Sequence, residues 1–240
     1  MAETQRSRAL ILKRFPWRDY DSRVVLYTED YGKKILSARG AKKMSSKLAA
    51  HLEPITQVDL MILIGRQNSY IGSAVMSEGF LNLKNDLNAL YYAGAAINLF
   101  DTLVKENLSD PALFNFFNSW LLNLNRQALN LSRPRGERYY QHFISRLLSL
   151  LGYEPDLSHC ALCGQTLKPG GNFFSGAQRG LICPLCQQNS RFSGSSRPVA
   201  DNVIKILRLA SKNDELLALS IKSEDLKEWG QLNKIMLDFI

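Results

Sequence analysis

Residues 8–39 read RALILKRFPWRDYDSRVVLYTEDYGKKILSAR. Three short apolar runs, Arg8 to Arg14 around Ala9-Leu-Ile-Leu12, Val24 to Thr28 and Lys34 to Arg39, are parted by Phe15-Pro-Trp-Arg-Asp19 and by Glu29-Asp-Tyr-Gly32. The runs are too short for ordinary helices, and the residues between them are the Pro, Gly and Asp types that turns require. The stretch therefore predicts consecutive strands. Downstream, Gln57 to Ile64 and Ser69 to Met76 repeat the pattern across a Gly65-Arg-Gln-Asn68 turn. Five short strands in about 80 residues predict a small closed barrel such as an OB-fold, because closure removes exposed sheet edges.

From Leu81 the period changes. Leu87, Leu90, Tyr91, Gly94, Ala95 and Leu99 recur at helical spacing. Asp110 is a good N-cap and Pro111 a good first helical residue, so a second helix should run to about Asn130. A third is predicted to open after Arg135-Gly136, to present Tyr139, Phe143, Leu147, Leu150 and Leu151, and to stop at Gly152. Residues 154–198 break this pattern with Pro, Gly and Ser. Helical spacing returns at Val203, Ile206, Leu207 and Ala210, and a last helix should follow Ser223, with Glu224 and Asp225 at the positive end of its dipole. The expected class is α+β: a barrel over 1–80, then an α-helical domain over 81–240 with an insertion at about 154–198.

All four cysteines lie in that insertion. Cys160-Ala-Leu-Cys163-Gly164 is followed after 19 residues by Cys183-Pro-Leu-Cys186, the spacing of a closed tetrahedral zinc site. A tight turn aims each thiolate pair at one ion, and Phe173, Phe174, Leu181 and Ile182 can form a short hairpin over it. Disulfides are disfavoured in a reducing compartment, a redox motif needs one reactive pair, and four thiolates leave no open position for catalysis. One structural zinc is expected, as in a zinc ribbon; His159 is an alternative fourth ligand.

The charge is uneven. Of a net +8, residues 1–50 carry 12 Lys and Arg against 5 Asp and Glu, a balance of +7. Lys33, Lys34, Arg39, Lys42, Lys43 and Lys47 cluster on one predicted strand and the loop after it, a pattern that attracts polyanions, nucleic acid above all. A solubilising face explains the same block. Trp17, Tyr20, Tyr27 and Tyr31 are interleaved and can stack on single-stranded bases, although strand alternation assigns at least half of them to the core. Enzyme signatures fail. His51-Leu-Glu53 with a later C-x-x-C lacks the proline and partner spacing of zinc deaminases, Gly32-Lys33-Lys34 is no P-loop, and His51, His142 and His159 make a histidine-based catalytic site improbable. No apolar run suits a membrane span and the start has no signal-peptide core, so a cytoplasmic location is expected, and a nucleoid-associated one if the basic block binds DNA.

Ala9-Leu-Ile-Leu12, Asp21-Ser-Arg-Val-Val25, Tyr27-Thr-Glu-Asp-Tyr-Gly32, Ala38-Arg-Gly-Ala-Lys42 and Leu52-Glu-Pro54 resemble the N-terminal domain of the RecO family. Phe143 through Leu148, then Leu151-Gly-Tyr-Glu-Pro155 leading into Cys160-x-x-Cys163-Gly164, resemble its helical core and zinc-bearing insertion. The resemblance spans most of residues 5–190. It implies a non-enzymatic protein with an OB-fold domain that binds single- and double-stranded DNA and anneals complementary strands. It further implies cooperation with RecR and single-strand-binding protein to load RecA in recombinational repair. Arg39, Lys42 and Lys43 fall in the segment matching the family's basic A-R-G-A stretch. The family's usual basic ending is missing after Ile240. Arg133, Arg135 and Arg138 suit a partner's acidic tail and an ordinary helix start equally well. The competing reading is a zinc-ribbon protein-docking module whose basic N-terminus only confers solubility.

Overall fold

The computed structural model describes residues 3–65, 68–188, 194–212, 221–238 and 240. Arg66 and Gln67 of the expected Gly65–Asn68 turn lie outside them, as do residues 189–193 of the insertion. The chain divides into two compact units, Met1–Leu131 and Ser132–Ile240.

In the first unit, β1 (Glu3–Trp17), β2 (Asp21–Thr28), β3 (Gly32–Ala38), β4 (Thr56–Ile64) and β5 (Tyr70–Glu78) form a closed barrel in the order β1-β2-β3-β5-β4. The length of β1 makes closure possible. It pairs antiparallel with β4 from Glu3 to Ile11 and with β2 from Ala9 to Trp17, around a bulge between Ile11 and Lys13. Such a bulge bends a strand and raises its twist. The single parallel pairing of Ser37 with Tyr70 joins β3 to β5 and completes the ring. Alternation sends Ala9, Ile11, Val24, Leu26, Leu36, Ala38, Val58, Leu60, Ile62 and Ile71 inward as a buried core. Gly32 ends the β2–β3 hairpin at φ +66°, and a Cβ there would lie 2.2 Å from the Leu108 carbonyl oxygen. No other residue fits so close an approach.

Three α-helices among the described residues complete this unit: α1 (Leu81–Asn85), α2 (Leu87–Leu103) and α3 (Pro111–Gln127). The Asp86 side chain accepts from Ala89 N at the start of α2. That of Asp110 accepts from Ala112 N and Leu113 N at the start of α3, which carries the expected proline in its first turn. The buried face of α2 is not the one its large residues predict. Ala89, Tyr92, Ala93, Ala96, Ile97 and Phe100 are buried, whereas Leu87 is 85% and Tyr91 70% exposed. The helix carries two apolar stripes, and the one rich in alanine, ending in Phe100, packs inward because small side chains permit close approach.

The second unit packs α4 (Arg133–Leu150), α6 (Asp201–Ser211) and α7 (Ser223–Leu237) around Phe143, Leu147, Leu207, Trp229 and Leu232. α4 starts earlier than its apolar pattern implies, because Pro134 is at home in a first helical turn and draws Arg133 and Arg135 into the helix. Gly152 follows its end at φ +78°, the left-handed residue expected there. Asn233 donates to the Gln141 backbone oxygen (3.0 Å) and side-chain oxygen (2.8 Å), while Ser145 donates to Asn233 (2.9 Å) and accepts from Trp229 Nε1 (2.9 Å). These buried polar groups are mutually satisfied, which fixes the register of α4 against α7. Within 154–198, β6 (Phe173–Ser175) pairs with β7 (Gly180–Ile182) as a hairpin, β8 (Arg197–Pro198) adds to β6, and α5 (Pro184–Gln188) starts inside the second cysteine knuckle and carries Cys186.

Candidate nucleic-acid interface and metal centre

Residues directly opposite each other on paired strands project to the same face of a sheet. Phe15 opposes Arg23, Arg23 opposes Ser37, and Ser37 opposes Tyr70. This row crosses β1, β2, β3 and β5 on the outside of the barrel, since the intervening Val24, Leu36 and Ala38 fill its interior. Two residues further on each strand, Trp17 and Arg39 lie on the same face. Phe15 is 49% and Trp17 42% exposed, and the Arg23 and Arg39 side chains are exposed as well. The guanidinium of Arg23 lies 4.5 Å from the centre of the Trp17 ring, and that of Arg39 lies 4.2 Å from the Tyr70 ring.

The loop after β3 is folded against the β1–β2 turn. Lys42 N donates to the Tyr20 carbonyl oxygen (2.9 Å), Gly40 N to Asp21 Oδ1 (2.8 Å) and Lys42 Nζ to the Arg18 carbonyl oxygen (3.3 Å). From the other side Arg14 donates to the carbonyl oxygens of Ala41 (3.1 Å) and Ala49 (2.9 Å), while Glu53 accepts from it at 2.7 Å. This lattice holds the loop backbone while Lys42, Lys43 and Lys47 stay exposed. The Lys43 ammonium lies 5.4 Å from the ring of Tyr20, which is 60% exposed. Arg39, Lys42 and Lys43 thus gather beside the row of rings.

Lys33 and Lys34 do not join them. Lys33 is 8% exposed, and its ammonium is bound to the Asp101 carbonyl oxygen at 2.5 Å and to Asp101 Oδ1 at 3.2 Å. Lys13 reaches Asp101 Oδ2 from β1 at 2.7 Å. Burial works against a charge on Asp101, but hydrogen bonds from Lys13 and Lys33 prevail and hold its carboxyl below the usual range. Lys33 therefore ties the barrel to α2 and is withdrawn as a nucleic-acid contact. Lys34 donates to Asn107 Oδ1 (2.9 Å), also away from Arg39. Of the rings, Tyr27 is core: it is fully buried, packed edge-on to Phe100 (4.9 Å) and stacked near Phe114 (6.4 Å). Burial, reinforced by the charge of Asp110, pushes its hydroxyl up to about 12. Tyr31 is half-buried. Phe15, Arg23 and Tyr70 escaped the sequence reading, although alternation with the outward Trp17 marks Phe15.

In the second unit the sulfurs of Cys160, Cys163, Cys183 and Cys186 lie within 4.8 Å of one another, and all four are free thiols. A tetrahedral ion with metal–sulfur distances of about 2.3 Å separates its ligands by about 3.8 Å, so the cluster suits a metal ion with a small contraction. Gly164, at φ +72°, turns the first knuckle, its N–H donating to the Cys160 carbonyl oxygen (2.8 Å). Cys183 N points at Cys160 Sγ (3.4 Å). Burial opposes ionisation of Cys160, yet the N–H groups of Cys183, Cys163 and Leu162 hold its thiol down at about 6. Cys186 is pushed up to about 12, first by its hydrogen bond with Cys163 and then by burial. Thiolates this close repel one another, and a cation relieves the repulsion. His159 stands apart, its Nδ1 3.0 Å from Asp156 Oδ2. Among the described residues no helix is long and apolar enough to cross a membrane.

The pattern of the family described as Recombination protein O N terminal matches residues 1–80, and that of Recombination protein O C terminal matches residues 84–238. Among curated relatives, a DNA repair protein RecO of Dehalococcoides mccartyi is 30% identical over 225 residues, covering 93% of this chain and 85% of its own length. That of Roseiflexus sp. is 33% identical over 85% of this chain and 68% of its own. That of Alkaliphilus metalliredigens is 27% identical over 98% and 92%. Two family patterns in the order barrel then helical unit, together with these relatives, show that the chain belongs to the RecO family.

Proposed function

We propose that the protein is a non-enzymatic recombination mediator that binds single- and double-stranded DNA through the exposed outer face of its barrel beside the loop after β3 and anneals complementary strands. The observation that carries this reading is the gathering of exposed Arg39, Lys42 and Lys43 on a loop whose backbone is held fixed. Cations so placed neutralise phosphates on two strands and lower the repulsion that opposes pairing, without reading sequence. Annealing then requires no catalytic residue. Membership of the RecO family supports partnership with RecR and single-strand-binding protein, assistance to RecA loading in recombinational DNA repair, and work at the nucleoid in the cytoplasm. The four cysteines would hold one zinc ion, which supplies folding free energy to residues 154–198 and leaves no position open for chemistry.

The test is a titration of 30-mer single-stranded and duplex DNA with wild type and an Arg39→Glu, Lys42→Glu, Lys43→Glu variant at two salt concentrations. Wild type should bind both with salt-dependent affinity, and the variant should lose affinity alike on all sequences with a flatter salt dependence. Metal analysis should return one zinc per chain, lost with Cys160→Ser. A docking module is the second reading, favoured by Leu162 (41% exposed) and Leu185 (75%), which crown the two knuckles. Absence of DNA binding by wild type at low salt would select it.

A further inference from the structure

We infer that three ring–cation pairs on the barrel, Trp17 with Arg23, Tyr70 with Arg39 and Tyr20 with Lys43, form a base-stacking platform that gives the protein a preference for single-stranded DNA. The inference rests on the DNA-binding reading above and adds to it which side chains touch bases and which strand state they select.

Trp17 and Tyr20 close the β1–β2 turn, Arg23 and Arg39 stand on β2 and at the end of β3, and Tyr70 opens β5 directly after the β4–β5 connection. Strands 2 and 3 with these two connections are the surface on which barrels of this kind hold oligonucleotides. The row from Phe15 to Tyr70 crosses four strands, which at about 4.8 Å per step is roughly 14 Å. A four-stranded sheet bearing outward aromatics has room for two or three bases. Each ring has a cation over it, at 4.5, 4.2 and 5.4 Å. The cation restrains the ring, and a guanidinium is itself a flat surface on which a base can lie. Only unpaired bases offer their faces to such groups. In a duplex those faces are already stacked, so the rings add nothing there and only the cations act, on phosphates. Trp17 is also the one exposed tryptophan of three, Trp120 being 2% exposed and Trp229 fully buried.

The experiment measures binding of oligo-dT 30-mer and of a mixed-sequence 30-base-pair duplex to the full chain and to Trp17→Ala, Tyr70→Ala and Trp17→Phe, together with intrinsic tryptophan emission. Each alanine variant should lose about tenfold in affinity for oligo-dT and less than about twofold for the duplex, with folding checked by circular dichroism. Trp17→Phe should retain most of the affinity, and wild-type emission should be quenched in step with oligo-dT binding. Equal losses on both probes, or unchanged affinity with unmoved emission, overturn the inference while leaving DNA binding intact. A wild type that binds neither probe overturns the DNA-binding reading and this inference with it.

Discussion

Lys33 and Arg39 stand on the same outer face of β3, six residues apart, and meet opposite fates. Around Lys33 the barrel face is covered: Tyr27, its cross-strand partner, is buried on Phe100 and Phe114, and the ammonium itself is spent on Asp101. Around Arg39 the face is open, with Phe15, Trp17 and Arg23 exposed to solvent. One sheet surface therefore does two jobs. Its covered end converts cations and rings into stability, and its open end keeps the same residue types free for a ligand. A cation contributes to binding only if its charge is not already neutralised and its desolvation not already incurred.

The contrast breaks most severely at Tyr27. Tyr27→Ala removes a fully buried ring from the contact between barrel and helices and should destabilise the protein by about 3–5 kcal/mol, read as a lower urea midpoint. Trp17→Ala at the open end forfeits a ring–cation contact and the burial of a ring that is already 42% exposed, so its cost should be smaller, about 1–2 kcal/mol. Comparable losses at the two ends would show that the open end is structural too.

The ion pair at the covered end comes next. Asp101→Ala leaves Lys33 10% exposed at its side chain and without a carboxylate. Stripping a fully buried pair of one partner costs about 3–5 kcal/mol, and because Asp101 keeps 22% exposure, a loss of about 2 kcal/mol is expected. Lys33→Met with Asp101→Leu should recover part of that loss, since the buried ammonium goes with its carboxylate and only Lys13, 27% exposed at its side chain, is left unpaired. The folded Asp101 carboxyl lies below its unfolded value, so its contribution is fully present above about pH 4 and disappears as pH falls through the folded value. Urea midpoints between pH 5 and pH 2 should converge for wild type and Asp101→Ala; parallel curves would remove this group from the acid response.

The sequence made some of this difference legible and hid the rest for physical reasons. Five strands, the Asp110-Pro111 helix start and two cysteine knuckles are local signals, carried by turn chemistry and spacing within a few residues. Pro16 was a misleading one. It is expected in a turn, yet it sits in β1 opposite Ser22, where β1 has passed its pairing with β4 and no neighbour requires the missing N–H on that edge. Trp17 is thereby carried onto the sheet and aligned with Arg23. Lys33 lay beyond local reading, because its partner Asp101 is 68 residues away and nothing in the run Lys33-Lys34 distinguishes a buried ammonium from a free one. The α2 stripe failed for a related reason: residue size favours Leu87 and Tyr91, whereas Phe100 is chosen by the distant Tyr27.

The smallest expected effect is also the one that separates the two ends most directly. Each phosphate neutralised contributes about 0.7–0.9 to the slope of log affinity against log salt. Lys43→Met should therefore lower that slope by nearly one unit on either single-stranded or duplex DNA. Lys33→Met removes the same formal charge from the same basic block, yet should leave the slope unchanged, because that ammonium already faces a carboxylate and has no phosphate to release counterions from. Lys13 remains on Asp101 at 2.7 Å, so the carboxylate keeps a partner and the variant should stay folded for the measurement. Equal slope changes for the two lysines would mean that binding reports net charge rather than position. The open end of the barrel would then lose its claim to be the contact surface.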